Sequence, residues 1–302
     1  MTENTTRTSD LTPELIANYK CNTGENPLWN SFDSRLYWCD IPNGRIFRYD
    51  PVANTHELYH EGDVVGGFTI ESDGSLLLFM ARGAVRRLSN GELTTIVSEI
   101  AEEKESRFND VLADPMGRVF CGTMATPSRA GCLYRLDLDR SVTKILDGIQ
   151  CSNGMAFSLD RRQMYYADSF AFEIYLFDYD MSTGYLTNQR LFVKAREQDG
   201  FPDGITIDAE GFLWTAQWDG SCVIRYRPDG SEDKRIHFPT KKVSSLTFGG
   251  DDYTDLYVTT AGGDDPQENG ENAGALYRVK AGVRGVAEFH SRIGESLGLA
   301  AR

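Results

Sequence analysis

The chain has 302 residues, of which 40% are hydrophobic, 11% aromatic and 25% charged, and its formal net charge is −14. This composition is typical of a globular protein with a substantial core, and it excludes global disorder. The negative charge disfavours contact with phosphate backbones and anionic lipid, so neither a nucleic-acid partner nor a membrane partner is expected.

The compartment is inferred from the chain start and the cysteines. Residues 1–10 lack the basic and apolar regions of a secretion signal, and no apolar run reaches the roughly 18 residues of a membrane span. Six cysteines are scattered without a C-x-x-C pair, which favours buried free thiols over disulfides or a zinc knuckle. We therefore expect a cytoplasmic protein.

A repeating unit runs along most of the chain. Its openings, about 42 to 50 residues apart, read GENPLWN at Gly24, GGFTIESDG at Gly66, NDVLADPMG at Asn109, NGMAFSLD at Asn153, DGITIDAEG at Asp203 and SSLTFGGDD at Ser244. Each opening is followed by a second apolar strand, such as RLYWCD or QMYYAD, and then by amphipathic strands such as RIFRYD or EIYLFDYD.

Six units at this period predict an all-β fold, a six-bladed β-propeller with four-stranded antiparallel blades. We expect one propeller domain over residues 15–290, between an N-terminal tail (1–14) and a C-terminal tail (291–302). Glu14 to Tyr19 fits either a short helix or a strand that closes the ring.

The meander of a blade places the start of its first strand and the end of its second strand on the same face. Glu25, Asn109, Asn153 and Asp203 begin first strands, so they are expected around the axis on that face. The oxygens of Glu25, Asn153 and Asp203 would suit one divalent cation, namely Ca, Mg, Mn or Zn. The alternative is that these residues cap turns, because N-G and D-G are common turn dipeptides.

The chain resembles the regucalcin (senescence marker protein) and gluconolactonase family. The resemblance rests on GENPLW at 24–29, RFND at 107–110, DPMGRVFCGTM at 114–124, SNGMAFS at 152–158, PDGITIDAEGFLW at 202–214 and FGG at 248–250. It implies that Glu25, Asn153 and Asp203 bind the metal and that Arg107 and Asn109 face the substrate.

Two features leave the substrate contacts open. Arg107 alternatively forms a surface salt bridge with the nearby acidic residues Glu102, Glu103 and Glu105. Animal members of the family have two acidic residues after the GTM-Ala motif, whereas this chain has Thr126 and Pro127. Thr126 is taken as a substrate contact, and the change puts the family's sugar preference in doubt.

The resulting hypothesis is a metal-dependent lactonase that opens a sugar (aldono-) lactone to the sugar acid. Asp203 would bind the metal and either accept a proton from the attacking water or only orient that water. The alternatives are a non-catalytic calcium- or metal-binding regulatory propeller and a phosphotriesterase-like hydrolase on the same scaffold. All four histidines fall away from the predicted mouth, which disfavours a Ser-His-Asp triad. A monomer is the default expectation.

Overall fold

The computed structural model describes residues 11–294 of the chain. These residues contain 24 β-strands and three short 3-10 helices at Ala101–Glu103, Ser169–Ala171 and Glu197–Asp199. The strands form six four-stranded antiparallel sheets around a common axis, which confirms the predicted six-bladed β-propeller. Within the same residues, no helix has the length and apolar character needed to span a bilayer.

The first three blades are simple meanders from the inner to the outer strand. Blade 1 contains β2 (Gly24–Asn30), β3 (Arg35–Asp40), β4 (Arg45–Asp50) and β5 (Thr55–Glu61). Blade 2 contains β6 (Val65–Ile70), β7 (Leu76–Met80), β8 (Val85–Ser89) and β9 (Glu92–Val97). Blade 3 contains β10 (Phe108–Ala113), β11 (Val119–Thr123), β12 (Gly131–Leu136) and β13 (Val142–Ile149).

The last three blades include the one that closes the ring. Blade 4 contains β14 (Ser152–Phe157), β15 (Gln163–Asp168), β16 (Glu173–Tyr179) and β17 (Leu186–Lys194). Blade 5 contains β18 (Phe201–Ile207), β19 (Leu213–Trp218), β20 (Cys222–Tyr226) and β21 (Glu232–His237). Blade 6 contains β22 (Lys242–Gly249), β23 (Asp255–Ala261), β24 (Ala275–Lys280) and β1 (Glu14–Asn18). Because β1 pairs with β24 as the outermost strand, the N-terminal segment is the ring-closing strand and not a helix.

The hydrophobic core is divided into six clusters, one between each pair of neighbouring blades. Between blades 5 and 6, for example, the Trp214 and Phe248 rings meet edge to face with centroids 5.8 Å apart. The six cysteines are all free and buried, as the sequence predicts. Each blade therefore depends on both neighbours for burial of its apolar faces.

The segment after β24, residues 281–294, forms a C-terminal strap. The strap crosses the lower face of the propeller, which is the face opposite the starts of the inner strands. Gly285 forms a β-bridge with Asp208 of blade 5, and the backbone N–H of Arg292 donates to the Gly117 carbonyl of blade 3 at 2.9 Å. Ser291 is fully buried and donates to the Glu71 carboxylate of blade 2 at 2.6 Å. Residues 291–294, assigned to a tail from the sequence, thus pack on the propeller. Of the predicted N-terminal tail, Leu11 packs against the core between blades 5 and 6 and Glu14 begins β1, whereas residues 1–10 and 295–302 lie outside the described residues.

Candidate active site

The upper face, where the inner strands begin, has an irregular strand pairing in all six inner strands. Glu25, Asn109, Asn153 and Asp203 lie at or within these irregularities. A bulge removes a residue from the hydrogen-bonded ladder and redirects its side chain, and bulges often occur beside active sites. The bulged strand starts therefore explain how four polar side chains from four blades point to one place.

A cavity of about 270 Å³ opens at this face. Its wall contains the predicted residues Glu25, Arg107, Asn109, Asn153 and Asp203, together with Thr23, Met124, Cys151, Ser169, Phe170, Phe201 and Trp218. The polar groups of this wall come from several blades, so the cavity exists only in the closed ring. The structure thus brings together five of the six residues that the sequence singles out.

The glycines after the polar residues serve close approach between strands rather than turns. Asn153-Gly154 lies within β14 and Asp203-Gly204 within β18. A Cβ atom on Gly154 would lie 2.4 Å from the Asp203 carbonyl oxygen, and one on Gly204 would lie 2.2 Å from Ser245 Oγ. The interpretation of these dipeptides as turns is therefore wrong, because glycine is needed where inner strands meet at the axis.

The Glu25 and Asp203 carboxyls are buried close together. Burial raises the pKa of Glu25 to about 8, and repulsion from Asp110 adds to this rise. Burial also raises the pKa of Asp203 well above its usual range, with Glu25 as the next cause. Two buried acids that resist ionisation form a site that gains from a positive charge.

A chain of hydrogen bonds links the polar wall. Arg107 Nη1 donates to Asn109 Oδ1 at 2.6 Å, and Asn109 Nδ2 donates to Asn153 Oδ1 at 2.7 Å. Asn153 Nδ2 donates to Ser169 Oγ at 2.7 Å, and the Ser169 hydroxyl donates to the Pro202 carbonyl at 2.6 Å. The chain therefore runs from blade 3 through blade 4 to the residue before Asp203 in blade 5.

The donor set fits one hard divalent cation. Asp203 Oδ1 is buried without a hydrogen-bond partner among the described residues, and a cation would satisfy such an oxygen. Within residues 11–294, no group of three or more His, Cys, Asp or Glu side chains is arranged to hold a metal. A cation at this site would thus use Glu25, Asp203 and the Asn153 amide oxygen, with positions left for water or substrate.

The salt-bridge alternative for Arg107 is not realised. Glu102 pairs with Lys144 at 2.6 Å, and Glu103 pairs with Arg129. The Arg107 guanidinium instead donates to the Phe108 carbonyl at 2.8 Å and to Asn109. It lies on the cavity wall, where a fork of N–H donors can meet an oxygen of the ligand.

Three residues of the lining, Phe170, Phe201 and Trp218, give the cavity an aromatic wall. The Phe201 ring stacks on Phe172 with centroids 4.6 Å apart, and Lys242 Nζ lies 4.7 Å from the Trp218 ring centroid. Phe170 remains 54% exposed at the rim. A ligand in this cavity therefore meets both polar groups and aromatic rings.

Thr126 is the predicted site residue that lies apart. It forms a turn with Arg129, its hydroxyl lies 3.2 Å from Ser128 Oγ, and it is not among the residues of the cavity wall. Sequence reasoning in turn missed Ser169, which directly follows the second strand of blade 4. Its position directly after a second strand, in a loop at the upper face, is the sequence feature that could have identified it.

The family description "SMP-30/Gluconolactonase/LRE-like region" matches residues 23–262, which span all six inner strands and the whole cavity. The chain belongs to the SMP-30/gluconolactonase/LRE-like family. This result confirms the resemblance drawn from the motifs.

Relatives within the SMP-30/gluconolactonase/LRE-like family match almost end to end. The chain is 42% identical over 290 residues to the pentonolactonase XacC of Haloferax volcanii, covering 94% of this chain and 99% of that protein. It is 35% identical over 297 residues to the regucalcin of Danio rerio, covering 93% and 98%. A solved structure of a calcium-binding protein, regucalcin, from Agrobacterium tumefaciens has a TM-score of 0.85 at 23% identity, covering 94% and 97%, and supports the shared fold.

Proposed function

We propose that this protein is a metal-dependent lactonase that hydrolyses a sugar lactone to the open hydroxy acid. The observation that carries the proposal is the convergence of two buried carboxylates, Glu25 and Asp203, with the Asn153 amide and the Arg107 guanidinium in one cavity. The pentonolactonase relative, at 42% identity over most of both chains, supports a lactone as the substrate.

Glu25, Asn153 and Asp203 would hold the cation. When bound, a divalent cation supplies Lewis acidity toward a carbonyl and makes a neighbouring water more acidic. Its charge would also offset the burial that raises the pKa of both carboxyls and the repulsion from neighbouring acids that adds to the rise. This arrangement accounts for burying two acids side by side without a cationic partner from the described residues at hydrogen-bond distance.

Arg107 and Asn109 would bind and orient the lactone. One guanidinium nitrogen of Arg107 is engaged with Asn109 and Phe108 O, which leaves further N–H donors for the carbonyl oxygen as it gains charge. Asn109 is held by hydrogen bonds on both ends of its amide. The aromatic wall would exclude water and contact the C–H groups of the lactone ring.

Asp203 would accept the proton of the attacking water and transfer it to the leaving oxygen. The oxygen of a water molecule bonds to the lactone carbonyl carbon while Asp203 accepts a proton from that water, and the proton then passes to the ring oxygen as the ring C–O bond breaks. The sum is lactone plus water giving hydroxy acid. With Asp203 Oδ1 on the cation, the second carboxyl oxygen of Asp203 would take part in this transfer.

The test is acid release from a panel of aldono-1,4- and 1,5-lactones, followed with a pH indicator. Asp203→Asn should lower turnover by at least about 100-fold, whereas Asp139→Asn, in an exposed turn on the lower face, should leave it unchanged. Near-normal turnover in Asp203→Asn would remove that residue from the reaction. Metal binding without turnover on any lactone would favour a non-catalytic metal-binding propeller instead.

A further inference from the structure

The polarity of the hydrogen-bond chain determines how each amide is oriented. Arg107 carries only donors, so the group it meets on Asn109 must be the oxygen. Asn109 then presents its NH₂ group to Asn153, which fixes the Asn153 oxygen on that side and its nitrogen on the side of Ser169. The serine hydroxyl accepts this N–H and passes its own hydrogen to the Pro202 carbonyl. Each link permits one orientation only.

Ser169 is itself held firmly. It is 3% exposed, and its backbone N–H donates to the Cys151 carbonyl at 3.1 Å. Its own carbonyl accepts from the Phe172 N–H at 2.8 Å, closing a single 3-10 turn. Phe172 has a φ of 56°, a left-handed conformation that a bulky residue adopts only where its surroundings impose it. The backbone of Ser169 is thus held in place, and the hydrogen bonds with Asn153 and Pro202 hold its hydroxyl.

The oxygen that this orientation exposes is the one a cation needs. A carbonyl oxygen has two lone pairs, so Asn153 Oδ1 can accept from Asn109 and still offer a pair to a cation. A flipped amide would turn its NH₂ hydrogens toward the positive ion. The same hydroxyl also binds the carbonyl of Pro202, the residue before Asp203, so it connects two ligand-bearing segments from different blades.

We propose that Ser169 is a positioning residue that orients the Asn153 amide oxygen toward the cation and ties blade 4 to the strand that carries Asp203. The inference rests on the metal site of the proposed function. Loss of the hydroxyl takes away the oxygen acceptor of the buried Asn153 NH₂ group and leaves it only the weak acceptor Cys151 Sγ at 3.7 Å. The Asn153 amide is then held firmly only at its oxygen, by Asn109, and can turn away from the cation. Groups that orient a metal ligand typically contribute about 10- to 100-fold in metal affinity.

The experiment is a calorimetric titration of the metal-stripped full chain with Ca²⁺ and with Mn²⁺. Ser169→Ala should bind the cation about 10- to 100-fold more weakly than the unaltered protein. Ser291→Ala is the matched control, because Ser291 is also a buried serine in a hydrogen-bond network but lies on the lower face. It should leave the cation affinity unchanged even where it lowers the melting temperature.

Testing Ser169→Ala in a second variant, Asn153→Asp, separates an effect on the orientation of the Asn153 amide from general destabilisation of the protein. Asn153→Asp supplies two equivalent oxygens and needs no orientation, so adding Ser169→Ala to it should cost less than about threefold in affinity. Wild-type affinity in Ser169→Ala, or the same loss in both backgrounds, would overturn the proposal. A wild-type protein that binds the cation but opens no lactone contradicts the proposed activity alone, and one that binds no cation contradicts both.

Discussion

Gly154 offers a test of how closely the two inner strands that carry Asn153 and Asp203 must approach. In Gly154→Ala, the new methyl group would lie 2.4 Å from the Asp203 carbonyl oxygen and 2.5 Å from the Ile205 nitrogen. Ordinary contact begins at 3.4 Å, so blades 4 and 5 must separate by about 1 Å at this point. Both neighbouring atoms belong to the backbone and cannot rotate away.

The expected cost follows from that displacement. Forcing one extra carbon into a packed interior typically costs about 1–3 kcal/mol of stability, and a misplacement of about 1 Å at a reacting centre can cost about 100-fold in rate. We therefore expect Gly154→Ala to remain folded but to lose about 100-fold or more in lactone turnover.

Urea denaturation gives the free energy of unfolding, and the lactone assay gives the rate. Gly62→Ala is the control, because the nearest atom to its new methyl group is the flexible His60 imidazole at 3.1 Å; it should change neither quantity substantially. A Gly154→Ala protein with wild-type stability and turnover would refute the view that close strand approach builds the site.

Other predictions concern the cavity rim and the lower face. Phe170→Ala should raise KM about two- to tenfold, because one aromatic contact is worth about 0.5–1.5 kcal/mol. The control is Phe32→Ala, which should leave KM unchanged, because Phe32 is equally exposed at 54% but lies at the lower face. Equal effects of the two substitutions would contradict a role for the aromatic wall. Burial, with repulsion from Asp110, raises the pKa of Glu288 from its ordinary 4.5 to about 7. Between about pH 4.5 and about pH 7, the folded protein therefore keeps a proton on Glu288 that the unfolded chain has lost. The free energy of unfolding falls as pH rises through this range. Glu288→Gln should flatten this fall in urea denaturation at several pH values, and an unchanged slope would show that the Glu288 carboxyl does not cause it.

The repeat and the strand starts made most of the fold and of the polar wall predictable. Glu25, Asn153 and Asp203 lie at the starts of inner strands in different blades, and antiparallel meanders bring these strand starts to one face. Ring closure by residues 14–18 was one of two alternatives, because a five-residue strand has too few positions to distinguish it from a short helix. Long-range pairing with β24 decided it.

Features outside the repeat were not predictable in the same way. The C-terminal strap has no counterpart in the other units, and its contacts, such as Ser291 with Glu71, join residues 220 positions apart. Ser169 acts through hydrogen-bond geometry that spacing does not encode. Local conformation also placed Thr126: a tight turn with Arg129 holds it off the cavity wall, which residue type alone does not reveal.

The central claim is that one divalent cation, bound between Glu25, Asn153 and Asp203, is required for lactone opening. The most direct measurement is the rate of hydrolysis of an active aldonolactone by metal-stripped protein as Ca²⁺, Zn²⁺, Mn²⁺ or Mg²⁺ is restored in increasing amounts. We predict negligible turnover without metal and recovery that saturates at one cation per chain, with recovery lost in Glu25→Gln. Full turnover by the metal-stripped protein, or the same recovery in Glu25→Gln, would contradict it.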